Sequence, residues 1–266
     1  MSLTEPGAGA KTWSMCGRFA LTARPDDIFE FFGAAGVGDF PPRYNIAPGQ
    51  PILLVTALRQ EQPVGGPSAR RALLARWGFI PGWLKNLDGF PLIFNARADT
   101  AGQKASFRGA MRHRRILVPA SGYYDWRRPP EETGLKGQPY WIFPRDGAIT
   151  AFGGLMETYL SADGSEIDTV AILTTSANRT INGISQRMPV VIARDNFSRW
   201  LDCDSQEPRD VVDLIAPVAD DVLEAVPIPD RVNVVSNTGP ELQKPIILAA
   251  PIDKDPSRKD GQMSLF

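Results

Sequence analysis

The sequence predicts an α+β fold: a single domain with a curved, barrel-like, largely antiparallel β core and a few flanking helices. Three observations carry this expectation. Short runs rich in β-branched and aromatic residues recur along the 266 residues, with turn formers between them. Gly and Pro are both frequent, at 24 each, which favours many turns over a helical bundle. A few stretches with helical spacing are interspersed among the strand-like runs.

The elements follow in order. Residues 16–22, CGRFALT, read as a first strand. Pro25-Asp26-Asp27 opens a short amphipathic helix through IFEFF, and Gly33 ends it. Residues 51–57 (PILLVTA) and 71–79 (RALLARWGF) read as strands around a polar, Gly/Pro-rich loop. Further strands are expected at 91–97, 115–124, 139–144, 148–155 and 167–175, and a last one within 222–235. Helices are expected at 104–113, 194–202 and 207–216. The pattern leaves strand order open, and no solenoid-like repeat is visible. Residues 1–15 read as a leader, a tag or a mis-called start, residues 16–250 as the domain, and residues 251–266 as a charged, turn-rich, flexible tail.

Composition narrows the function classes. Hydrophobic content of 43% and charged content of 22% are ordinary for a soluble protein. No apolar run approaches the ~18 residues of a membrane span. The N-terminal stretch lacks the basic start and apolar core of a secretory signal. Cys16 and Cys203 do not make a disulfide framework, and with His113 as the single histidine a zinc site is not expected. A reduced, cytoplasmic, cofactor-free monomer is the expectation. The net charge of −1 gives no global sign of a nucleic-acid partner, so any such sign must be local.

One local sign is KASFRGAMRHRR, from Lys104 to Arg115. Lys104, Arg108, Arg112 and Arg115 fall on one face if the whole run is helical. No acidic residue lies between Thr100 and Tyr124, and the aromatic-rich SGYYDWRR follows. Cations beside stacking faces suit single-stranded nucleic acid. A solvated helix face is the plainer alternative.

Seven short motifs then accumulate: MCGRFA at 15–20, RYNIAPGQ at 43–50, WGFIPGW at 77–83, FNARADT at 94–100, ILVPASGYYDW at 116–126, QRMPVVI at 186–192 and SNTGPEL at 236–242. Their order and content resemble the SOS-response-associated peptidase (SRAP) family over about residues 15–245. The resemblance implies a protein that shields abasic sites in single-stranded DNA. In that family an N-terminal cysteine, exposed by loss of the preceding methionine, captures the ring-opened sugar aldehyde as a thiazolidine. Such chemistry needs a thiol and a free amine on adjacent carbons, so Cys16 must become the N-terminus. Its amine, near 7.7–8.0 in reference peptides, is partly neutral at about pH 7. Its thiol needs modest help from a nearby cation such as Arg18. A buried, inert cysteine is the alternative for Cys16. An N-terminal-nucleophile amidohydrolase, which also begins Met-Cys-Gly, and a non-covalent DNA-binding module are the alternative functions.

The resemblance also assigns partners. Asn95 matches a family asparagine that hydrogen-bonds near the reacting cysteine and sugar. Asp125 stands where the family usually has glutamate, as the carboxyl that moves protons. Ser185 stands where the family commonly has histidine, so weak crosslink reversal and lyase activity are expected. Arg18, Arg97 and Arg187 are expected to contact phosphates, as are Arg108 and Arg112 of the basic run, with ion pairing as the alternative for Arg18 and Arg97. Asn45 and Pro48 are expected to shape the turn lining the DNA cleft, and Trp83 to stack on a base. The last five residues, Gln262 to Phe266, resemble the peptide that binds the bacterial sliding clamp. Leu265 and Phe266 would fill its pocket, and Gln262 would bond at its edge.

Overall fold

The computed structural model describes residues 16–58, 70–130, 133, 134 and 136–248. The chain runs β1 (Arg18–Leu21), α1 (Pro25–Phe32), β2 (Ala34–Ala35), β3 (Arg43–Ile46), β4 (Pro51–Ala57), β5 (Arg70–Trp77) and β6 (Asn95–Arg97). It continues through α2 (Ala98–Ala101), α3 (Ala105–His113), β7 (Arg115–Ala120), β8 (Gly122–Arg127) and β9 (Gln138–Pro144). Then come β10 (Thr150–Leu160), β11 (Glu166–Ser176), α4 (Arg179–Asn182), β12 (Arg187–Pro189), α5 (Phe197–Leu201) and β13 (Leu223–Pro227). Short 3-10 segments flank the last elements at Arg194–Asn196, Pro208–Ile215, Asp230–Asn233 and Pro240–Gln243.

The strands form two sheets. One has the order β13-β9-β8-β1-β3, and its pairings are all antiparallel. The other runs β12-β11-β10-β7-β4-β5-β2, with β6 added on β11. A parallel pairing of β11 with β5, Thr169 to Arg76 and Val170 to Trp77, closes β5, β4, β7, β10 and β11 into a ring. Closure leaves those strands no free edge. The expected α+β architecture with a barrel-like core is therefore present. The sheets share one core, where Phe19 of β1 meets Trp77 of β5 edge-on at 5.2 Å and Phe152 of β10 at 6.3 Å. Tyr123 of β8 meets the same Phe152 ring at 6.0 Å. Such edge-to-face contacts add about 0.5–1.5 kcal/mol each beyond burial.

Local sequence explains several boundaries. Pro25 starts α1, Asp26 and Asp27 face its N-terminal dipole, and Gly33 at φ 57° turns the chain out with its N–H on the Phe29 carbonyl. The strand expected over 115–124 is two strands in two sheets. The break falls at Ser121, whose N–H donates to the Ala20 carbonyl and whose hydroxyl accepts from the Thr22 N–H. A Cβ on the next residue, Gly122, would lie 2.5 Å from the Ile142 carbonyl oxygen, so only glycine lets β8 enter the other sheet.

Other expectations are corrected in detail. The strand expected over 91–97 is only β6, with an isolated bridge at Ile93. The segment at 208–215 is 3-10 rather than α-helix. The basic helix stops at His113, so Arg115 leaves the shared face. It lies on β7 with 1% exposure. Residues 1–15 and 251–266, expected as leader and tail, lie outside the described residues.

Candidate active site

Cys16 lies just ahead of β1, whose antiparallel register on β8 pairs Arg18 with Tyr124. Continued outward, that register carries Cys16 to the Asp125 end of β8. There the Cys16 Sγ–H donates to Asp125 Oδ2 at 3.3 Å, and the Cys16 backbone N–H reaches the same oxygen at 3.4 Å. Both residues are buried, Cys16 at 4% and Asp125 at 3% exposure. Burial, then the charge of Asp125 and the hydrogen bond to it, push the thiol well above its usual range, while Arg187 pulls the other way. Burial also raises the Asp125 carboxyl, partly offset by hydrogen bonds from the Trp126 N–H, Cys16 and Ser185. Cys16 has φ 44°, the single non-glycine residue in the left-handed region among the described residues. For a residue carrying a Cβ this costs on the order of 1–3 kcal/mol.

The other wall of the site comes from β11. Its C-terminal end is flanked by β6 on one side, pairing Thr174 with Arg97, and by β12 on the other, pairing Ser176 with Arg187. Asn95 on β6 directs its Nδ2 to the Cys16 carbonyl at 3.5 Å. Arg187 donates through Nε to the Thr174 hydroxyl at 3.2 Å and through Nη2 to the Thr174 carbonyl, and its own carbonyl lies 3.9 Å from the Cys16 sulfur. Arg97 holds Asp99 at 2.9 Å, and the same carboxylate reaches Arg187 at 3.8 Å. Two cations separated by 90 positions in sequence thus share one exposed anion beside the thiol. Chemically, the centre offers a thiol, a nitrogen on the adjacent carbon, a proton-accepting carboxylate and two cations at its mouth.

The family model for the SOS response associated peptidase (SRAP) matches residues 15–235. The chain belongs to the SRAP family. Among its relatives is the abasic site processing protein YoqW of Bacillus subtilis, 34% identical over 86% of this chain and 98% of its own length. The abasic site processing protein HMCES of Xenopus tropicalis is 29% identical over 88% of this chain and 79% of its own. The abasic site processing protein YedK of Escherichia coli is 27% identical over 87% of this chain and all of its own. A crystal structure of a Bacteroides thetaiotaomicron protein has the same fold, with a TM-score of 0.73 and 22% identity over 87% of this chain and all of that one.

Within this SRAP fold the remaining sequence-selected residues divide. Ser185 acts on the Asp125 carboxyl, so four of them, Cys16, Asn95, Asp125 and Ser185, do converge. Arg18 does not act on the thiol; its guanidinium donates to Asn45 Oδ1 at 2.9 Å and to the Val232 carbonyl at 2.7 Å. The cation acting on Cys16 is Arg187. Asn45 is buried, and its Nδ2 serves the carbonyls of Val232, Val234 and Asn237, which ties the 232–237 segment to β3. Pro48 sits in the tight turn after β3, where Gly49 at φ 91° donates to the Trp77 carbonyl. Trp83 is 61% exposed on the loop after β5, open to a stacking partner.

The two α3 arginines lie elsewhere. Arg108 is exposed, whereas Arg112 pairs with Glu207 at 2.6 Å and donates to the Cys203 carbonyl. Gln262, Leu265 and Phe266 lie outside the described residues. Sequence reasoning missed Asp99, Thr174 and Tyr123. Tyr123 was findable, because strand alternation puts it on the face of β8 that carries Asp125. No helix among the described residues is long and apolar enough to cross a membrane, and no group of three metal-ligating side chains occurs among them.

Proposed function

We propose that this protein processes abasic sites in single-stranded DNA by covalent capture through Cys16, once residues 1–15 are gone. What carries the reading is one geometry: the nitrogen and sulfur of a single residue both lie within 3.4 Å of one carboxylate oxygen. With residue 15 attached, that nitrogen is a peptide N–H. Cleavage before Cys16 makes it an amine at the same carboxylate. It also removes the φ constraint and the strain stored there, which favours hydrolysis at this bond. An aminopeptidase or self-cleavage would serve, and self-cleavage would give the peptidase name a substrate. The relatives' shared name supplies the damaged sugar as the electrophile.

The amine attacks the open-chain sugar aldehyde, forming a C–N bond and breaking the C=O π bond. Asp125 accepts a proton from nitrogen and returns one to the departing hydroxyl, so one water leaves and an imine remains. The thiol proton passes by way of Asp125 to the imine nitrogen as sulfur bonds the same carbon and closes the five-membered ring. Because both nucleophiles belong to one residue, ring closure is intramolecular. Asn95 orients the cysteine through its carbonyl, and Arg97 and Arg187 face the phosphates. Trp83 stacks on a base. Ser185 lies by Asp125 but does not titrate near neutrality, so release from the crosslink is slow. The tail residues 262–266 serve as a sliding-clamp tether, and their deletion abolishes clamp pull-down.

Intact-mass spectrometry tests the reading. A chain beginning at Cys16, mixed with single-stranded DNA carrying one abasic site, should gain the mass of the strand less one water. Cys16→Ala should gain nothing. An adduct of equal yield in Cys16→Ala, or binding that denaturation always reverses, would sink covalent capture. Incubating the purified adduct with and without Ser185→His measures release; equal rates would remove the role given to that position.

A further inference from the structure

Two tyrosines adjoin on β8 with opposite fates. Tyr124 points away from Asp125; its hydroxyl donates to the Tyr44 carbonyl at 2.6 Å and accepts from Gln243. Tyr123 shares the Asp125 face and is 1% exposed, yet its hydroxyl has no hydrogen-bond partner among the described residues. A buried hydroxyl without a partner costs about 1–3 kcal/mol, and native proteins rarely keep one without a use. The groups that act on it electrostatically are Cys16 and Asp125.

We propose that Tyr123 is a positioning residue of the Cys16 centre, its O–H donating to the cysteine sulfur once the thiol proton has passed to Asp125. In the resting site the proton lies on sulfur and is donated to Asp125 Oδ2. Transfer leaves a thiolate in a site that is almost wholly buried. Arg187 acts on that charge, but its Nε and Nη2 are turned to Thr174 and Asp99. The Tyr123 O–H is a buried donor on the Asp125 face with no partner among the described residues. Burial, then the negative charges of Cys16 and Asp125, hold the phenol well above its ordinary range, so it donates and does not itself ionise. The titratable groups facing the sulfur are Asp125 and Tyr123 from β8 and Arg187 from β12, with Asp99 and Arg97 beyond Arg187. No oxidant or metal is involved; one proton moves from sulfur to carboxylate and is later delivered to nitrogen.

This proposal rests on Cys16 being the reacting residue, and its test separates the two ideas. Tyr123→Phe deletes one oxygen and keeps the ring against Phe152. Alkylation of Cys16 by iodoacetamide in the full chain, resolved from Cys203 by peptide mass, is followed from about pH 6 to 10. Tyr123→Phe should slow alkylation ~10-fold at every pH of this range, which lies below the raised midpoint of the thiol, the loss of one hydrogen bond to a charged atom. Its melting temperature should equal or exceed the parent's, since an unpartnered hydroxyl is gone. In the chain beginning at Cys16, ring closure on abasic DNA should slow by a similar factor with DNA affinity unchanged. A superimposable alkylation profile overturns the role of Tyr123 even where crosslinking proceeds. A lowered profile in a protein that never crosslinks DNA upholds the tyrosine's role and defeats the sugar reading.

Discussion

The arginines around α3 and those flanking β11 make opposite use of the same side chain. Around α3 the charges are dense in sequence but are spent on the fold. Arg115 is buried and donates to the carbonyls of Trp200, Met111, Asp202 and Gln206, at 2.7, 2.9, 2.8 and 3.0 Å. Arg112 is paired with Glu207. Beside β11, Arg97 and Arg187 are far apart in sequence and stand in no charge run. Sheet pairing brings them to one exposed carboxylate next to the thiol. Clustering along the chain is thus a poor guide to a cationic surface. Convergence at a strand end, which topology alone creates, is a better one.

The sharpest way to break this contrast is Arg115→Met. The hydrophobic stem is retained, but four backbone carbonyls lose their donor at once. The expected loss is about 3–5 kcal/mol, read as a fall in the urea midpoint at unchanged slope. Arg187→Met gives up two bonds, both to Thr174, where Arg115 makes four, and should cost only about 1–2 kcal/mol. Equal losses would mean that Arg187 is as structural as Arg115, and the division would fail.

The second comparison is chemical. Arg97→Ala and Arg187→Ala should each slow crosslinking to abasic single-stranded DNA ~10-fold at low salt and lower the salt slope of binding by about one phosphate contact. Arg112→Ala, measured in the same way below its unfolding range, should leave both quantities within about twofold. A reduced salt slope in Arg112→Ala would return α3 to the DNA surface.

These outcomes bear on what could be read from the chain. Strand and helix positions followed from local chemistry: Pro25 and Gly33 bracket α1 because both act within one turn. Asp125 and Cys16, which the fold brings to 3.3 Å, could be picked out because each sits in its own short motif. The split at Ser121 was not found, since Ser121-Gly122 can mark a bend but does not say that the two halves enter different sheets. Arg115 was misread because helical spacing was continued two residues beyond His113, where the chain becomes β7. Arg18 was given to the thiol because it is near in sequence. Its side chain reaches instead to Asn45 and the 232–233 carbonyls. The β11 pairings behind the Arg97–Asp99–Arg187 cluster are long-range, and one sequence without strand order cannot supply them.

The smallest effect should come from Asp99, the anion that Arg97 and Arg187 share. It is exposed, and under the proposed role of the two arginines an incoming phosphate competes with it. Its hydrogen bond to Arg97, then the charges of Arg97 and Arg187, hold its carboxyl below the usual range. A depressed carboxyl contributes above its unfolded pKa and loses that contribution as pH falls through the folded value. Mild acid therefore leaves the pair intact, and pH alone does not free the arginines. Asp99→Asn does free them. Affinity for undamaged single-stranded DNA should rise about two- to threefold at low salt, a difference that shrinks toward ~1 M salt as screening lengths fall to a few ångströms. Stability should change by less than ~0.5 kcal/mol. Weaker binding in Asp99→Asn would show that the carboxylate holds the two guanidiniums in register for the backbone, and that the β11 end is assembled in advance rather than merely occupied.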